Sequence, residues 1–153
     1  MTSPMPETTP ETETIAVRIP SRLELLGLLD RVADTVCERL AFDDDARSKI
    51  TTSVIEAGTN AIQHGHHRDA RLPVDIEFRV HPDTLEIVVH DTGKGFDVKS
   101  INGDMTSPEH ILDARGRGIY IMRSCMDRVE FDFSNGTTCR LVKKRPPLPA
   151  RTP

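Results

Sequence analysis

The chain lacks an apolar run long enough to cross a bilayer. Its first residues, rich in Thr, Glu and Pro, carry neither the basic region nor the apolar stretch of a signal peptide, so a cytoplasmic location is expected. It also lacks an excess of basic charge. Twenty Lys and Arg stand against 24 Asp and Glu, a net charge of −4, and without a cationic field direct binding to nucleic acid or an anionic membrane is not expected. No Cys-x-x-Cys is present. Cys37, Cys125 and Cys139 are odd in number and widely spaced, which excludes a disulfide framework or a zinc ribbon and leaves three reduced, mostly buried thiols. There is no internal repeat, and 153 residues suit one domain with one core and one active site.

What is present begins with two biased ends. Residues 1–14 are rich in Thr, Pro and Glu, and residues 146–153 read Pro-Pro-Leu-Pro-Ala-Arg-Thr-Pro, so both are expected as disordered tails around a domain at 15–145. Ile15 to Ile19 alternates as a strand, and Ser21 with Glu24 has the spacing of a capping box. Leu25, Leu28, Leu29, Val32, Val36 and Leu40 then form a helical stripe. Asp43 or Asp44 caps a second helix that runs to about His64 with Ile50, Val54, Ala57 and Ala61 on its apolar face. Val74, Ile76, Phe78 and Val80 alternate, and a His-Pro-Asp-Thr turn leads into a strand over 85–90.

Residues 91–118 are rich in Gly, Asp and Ser and too long for a plain connection, which marks a functional loop or lid. A helix over 119–126, a strand over 129–133 and an Asn135-Gly136 hairpin into 137–142 complete the order βααββ, loop, αββ. The pattern predicts a two-layer α/β (α+β) sandwich, a mixed but mainly antiparallel sheet with helices on one face.

Three segments carry candidate chemistry. Glu56 and Asn60 lie four positions apart, on one helix face. Asn60 offers a neutral carbonyl to a hard cation such as Mg²⁺, and Glu56 a carboxylate able to take a proton from a hydroxyl. Asp91-Thr92-Gly93-Lys94-Gly95-Phe96 follows an apolar strand directly, at the strand end where open α/β sheets bind ligands. Asp91 can accept from an exocyclic amine such as that of adenine, while Gly93 and Gly95 let the backbone come close. Arg115-Gly116-Arg117-Gly118 precedes the helix expected at 119, where glycines and helix amides can surround phosphate oxygens and the arginines add positive charge. Taken singly, each has an ordinary explanation as a solvated helix face or a turn. In this order, each has a different task on one Mg²⁺-nucleotide.

The run Glu56-Ala57-Gly58-Thr59-Asn60-Ala61-Ile62-Gln63-His64-Gly65, then 91–96, 116–122 and Gly136-Thr137-Thr138, resembles the histidine-kinase-like ATPase (GHKL) superfamily, and within it the short anti-sigma-factor serine/threonine kinases of bacteria. The resemblance spans about residues 15–144. It implies the Bergerat-type ATP-binding fold, ATP and Mg²⁺ as cofactors, Asn60 as metal ligand, Glu56 as general base and Asp91 as the adenine-reading carboxylate. Gly93 and Gly95 match the turn beside the base, Gly116 and Gly118 the phosphate loop, and Thr137 or Thr138 the threonine near the adenine. Asp113-Ala114-Arg115 departs from the family's arginine placement, so either Arg115 or Arg117 can meet the γ-phosphate.

The implied function is phosphorylation of a small anti-sigma-factor antagonist together with sequestration of a sigma factor, as a homodimer by resemblance. The alternatives are an ATP-binding module that captures its partner without phosphotransfer and, less favoured, a stand-alone ATPase. Nothing before Ile15 supplies the helices of a phosphoacceptor-histidine domain. His64, His66 and His67 have no second ligand cluster to make them a metal site.

Overall fold

In the computed structural model, residues 12–98 and 114–147 are described. The sheet has five strands: β1 (Glu13–Pro20), β2 (Pro73–Val80), β3 (Thr84–Asp91), β4 (Arg128–Asp132) and β5 (Thr137–Lys144). Their spatial order is β1-β2-β3-β5-β4, and all four pairings are antiparallel. The two-layer sandwich is thus as expected, with an antiparallel sheet throughout. β1 starts at Glu13, opposite Val80, so it takes in Glu13 and Thr14 from the stretch expected as a tail. Residues 1–11 and 148–153, the rest of both expected tails, lie outside the described residues, as do 99–113, the centre of the expected lid.

Period-two alternation divides the sheet into unlike faces. Across one row, Val17, Ile76, Val89, Cys139 and Phe131 stand in register, and a second row runs Ile15, Phe78, Ile87, Leu141 and Val129. These rows face the helices and make the core. The opposite face carries ion pairs such as Arg18 to Asp75, Arg79 to Glu86 and Arg140 to Glu86.

Helices α1 (Leu26–Arg39), α2 (Asp44–Thr59) and α3 (Ala114–Cys125) cover the apolar face, with α2 in contact with both of the others. The α2 cap is as expected: the Asp43 carboxylate accepts from the Ala46 amide at 2.8 Å. Gly58 lets α1 approach, since a Cβ there would lie 3.0 Å from Leu26 and 3.1 Å from Leu29.

Three local expectations are corrected. Ser21 caps no helix: its hydroxyl is fully buried and donates to the Leu72 carbonyl at 2.6 Å, a tertiary bond that removes it from the helix end. The α1 stripe is rotated, because a 3₁₀ turn at Leu23–Leu25 sets the helical phase. Leu29, Ala33, Val36 and Cys37 are buried, whereas Leu28 is 52% exposed. Finally, α3 begins at Ala114, so Gly116 and Gly118 lie inside the helix and not in a loop before it.

Candidate functional site

The site forms where α2 passes over the end of β3. After Thr59 the helix widens into a π-helical turn, Asn60–Gly65, with the His66 amide bonded to the Ala61 carbonyl at 2.9 Å. Such turns recur at functional sites because the extra residue re-aims the side chains around it. Here it brings Gly65 against the Asp91 carboxylate: a Cβ on Gly65 would sit 2.6 Å from both Cγ and Oδ1. Asp91, the last residue of β3, is 5% exposed. Its Oδ1 accepts the Gly93 amide at 2.8 Å. Gly93 is held just as closely, since a Cβ there would be 2.6 Å from the Gly65 carbonyl oxygen.

Around Asp91 opens a cleft of about 360 Å³, counted out to its mouth, whose wall includes Asn60, Gly65, Gly95, Phe96, Arg115 and Thr137. Burial pushes the Asp91 carboxyl above the ordinary carboxylate range, against the opposing pull of the Gly93 amide and of His66, His90 and Arg115. Register puts the two threonines on opposite faces of the sheet. Thr137 stands opposite Asp91, is buried and lines the cleft. Thr138 points to the other sheet face, where its hydroxyl lies 3.0 Å from His90 Nδ1. A wider, shallower groove crosses that outer face between Arg18, Glu77 and Arg140, and Thr138 is the one predicted site residue in it.

The arginines separate in the same way. The Arg115 guanidinium lies 4.4 Å from the centroid of the Phe96 ring and lines the cleft, whereas Arg117 is exposed. Phe96 also packs edge-on against Phe131 and Phe133, each at 5.2 Å. Gly95, at φ +79°, carries the chain past Phe133 in a conformation that disfavours other residues.

Glu56 and Asn60 both face α3 at Gly118, where a Cβ would lie 2.7 Å from Glu56 Oε2 and 3.7 Å from the Asn60 amide. One end of that amide, Nδ2, is buried with no hydrogen-bond partner among the described residues. The other end, Oδ1, is a neutral oxygen of the kind that Mg²⁺ accepts, and with the single carboxylate of Glu56 nearby it suits an ion that keeps its waters and takes further oxygens from substrate phosphates rather than from a protein cage. Among the described residues no three His, Cys, Asp or Glu side chains cluster as a metal site.

Residues 19–143 match the histidine kinase-like ATPase domain family. The chain belongs to that family. This ATPase domain is similar to the serine-protein kinase RsbW of Bacillus subtilis, 31% identical over 134 residues that cover 84% of each chain. The RsbW of Bacillus pumilus is 32% identical over 136 residues, again 84% of each. Among solved structures, the RsbU and RsbW domains of Rv1364c from Mycobacterium tuberculosis superpose with a TM-score of 0.60 at 14% identity, over 89% of this chain and 34% of that one. That likeness concerns the fold.

The ATPase domain's described residues contain no helix long and apolar enough to cross a membrane. Burial pushes the Cys37 and Cys139 thiols up to about 12, which disfavours the thiolate form. Sequence reasoning gave Phe131 and Phe133 only as strand residues, Ser21 only as a helix cap and His66 only as a rejected metal ligand. Strand alternation with Val129 places Phe131 on the cleft side, but no local pattern marks Ser21 or His66 as neighbours of the site.

The contact at Gly118 gives a test that separates folding from function. In Gly118→Ala the new methyl meets the flexible end of Glu56, which can move aside, while alanine favours the helix interior by about 1 kcal/mol. The variant is expected to melt no lower than the wild type. Any reaction that depends on the Glu56 carboxylate should fall about ten- to a hundredfold, as for an ångström-scale misplacement. Thermal melts and turnover on one preparation check both.

Proposed function

We propose that the protein is an ATP-dependent serine/threonine protein kinase that phosphorylates a small anti-sigma-factor antagonist and sequesters a sigma factor. The observation that carries the reading is the convergence of Asn60, Asp91, Thr137 and Arg115 on one cleft, with Glu56 facing Gly118 alongside Asn60. Asp91 Oδ1 is taken by the Gly93 amide, and Oδ2 is assigned to the adenine amino group. Thr137, opposite it, adds a hydroxyl to the same end of the cleft. At the other end, Asn60 would hold Mg²⁺, which when bound draws charge off the phosphate oxygens.

Glu56 takes the proton of the acceptor hydroxyl as that oxygen bonds to the γ-phosphorus. The bond from that phosphorus to the β–γ bridging oxygen breaks, and ADP leaves with the bond's electrons. Arg115, or Arg117 from the same turn, compensates the charge on the transferred group. Gly116 and Gly118 keep that turn of α3 slim where it meets α2 and the phosphates.

The support is the family membership, the similarity to serine-protein kinases and the chemistry of these side chains. Purified protein, incubated with γ-labelled ATP, Mg²⁺ and candidate antagonists from the same genome, is expected to label one antagonist on Ser or Thr. ATP binding with partner capture but no labelled antagonist would replace the kinase by a nucleotide-gated binding module.

A further inference from the structure

His66 belongs to none of the three segments that carry the candidate chemistry, yet it is 3% exposed and both ring nitrogens are engaged. Nε2 lies 2.8 Å from the Thr92 amide nitrogen, which can only donate, so Nε2 is an acceptor. Nδ1 lies 2.8 Å from the Ser21 hydroxyl oxygen. That hydroxyl spends its single hydrogen on the Leu72 carbonyl at 2.6 Å, so it accepts from Nδ1. The two constraints agree on one tautomer, with hydrogen on Nδ1 and a lone pair on Nε2. Thr92 Oγ1, at 3.0 Å, is a second neighbour of the same Nε2.

The chain of bonds runs from the β2 entrance and the end of β1 through the ring to the residue between Asp91 and Gly93. Thr92 is the middle of the turn whose Gly93 amide fixes Asp91 Oδ1, and that turn is pressed against Gly65 at the end of the π-helical segment. A ring that holds the Thr92 amide therefore sets the direction of the carboxylate. We propose that His66 is a positioning residue for nucleotide binding, acting through the Thr92 amide on the Asp91–Gly93 turn. The proposal rests on the reading of the cleft as an ATP site.

Two measurements test it on the whole chain. In uniformly ¹⁵N-labelled protein without nucleotide, long-range ¹H–¹⁵N correlations are expected to show His66 protonated at Nδ1, with the Thr92 amide slow to exchange. Calorimetry with ADP and Mg²⁺ should then find His66→Phe, which keeps a ring but no acceptor, weaker by about tenfold. His66→Gln, whose carbonyl oxygen can replace Nε2, should stay within about threefold of the wild type. An Nε2-protonated ring, a fast-exchanging Thr92 amide, or a folded Phe variant that binds as tightly as the wild type would overturn the proposal. So would a Gln variant no better than Phe. A wild type that binds no nucleotide, yet shows the expected tautomer and protection, removes the ATP reading of the cleft and, with it, the nucleotide half of the proposal; the hold on the turn would still be seen.

Discussion

Glu56→Gln is expected to lower phosphoryl transfer by about a hundred- to ten-thousandfold, with ATP affinity within about threefold of the wild type. The amide keeps the shape and one acceptor of the side chain but cannot take a proton. Its surroundings favour a clean comparison. Glu56 sits on α2 among groups that the exchange leaves in place, and the amide, matching the carboxylate in size, fits as closely against Gly118. Single-turnover transfer of labelled phosphate to the antagonist, beside an ADP titration of the same preparation, checks the split. Undiminished transfer would remove Glu56 as the base.

Asp91→Asn carries the second large effect, and it should move binding and stability in opposite directions. A charge-assisted hydrogen bond to the adenine amino group contributes about 1.5–3 kcal/mol, so its loss is expected to weaken nucleotide binding by about a hundredfold. The unliganded protein should gain. Burial raises the folded-state pKa of Asp91, so between the ordinary carboxylate range and that raised value the folded chain binds more protons than the unfolded one. Its stability contribution therefore falls as pH rises through this window, and above it the penalty of a buried charge is fully present. Asparagine has no such penalty and can still accept the Gly93 amide. A gain of about 1 kcal/mol above the window, fading toward acid, is expected from denaturant titrations at several pH values. Equal stability at all pH values, together with unchanged affinity, would contradict both the burial argument and the assigned role.

Much of the scaffold could be read from side-chain order alone. Val74, Ile76, Phe78 and Val80 alternate because β2 has one wet and one dry face, and Asp43 ends a loop because its carboxylate has an amide to accept from. Asp91 was legible as a strand-end acid for the same reason. The choice of Thr137 over Thr138 was available too, since Thr137 shares parity with the buried Cys139 and Leu141. The errors came where tertiary contacts overrode local preference. Gly116 and Gly118 read as a loop by propensity, but the helix forms through them, and at Gly118 the Glu56 side chain of α2 comes close. Ser21 read as a cap because its partner, Leu72, is remote in sequence. The π-helical turn has no residue pattern of its own.

The hairpin between β4 and β5 has one more consequence. Tips of surface hairpins are the usual places to graft an epitope or a reporter, because chain added there disturbs little. Gly136, at φ +67°, lies so close over the Asp91 carbonyl that a Cβ would fall 2.1 Å from its oxygen. The tip thus backs the Asp91–Thr92 backbone beside the cleft, and a graft that displaces Gly136 would disturb the turn that holds the Asp91 carboxylate. Reporters for this protein belong at the opposite end of the strands, near the turn at His81 to Thr84, where the backbone closes on itself through a 2.9 Å bond.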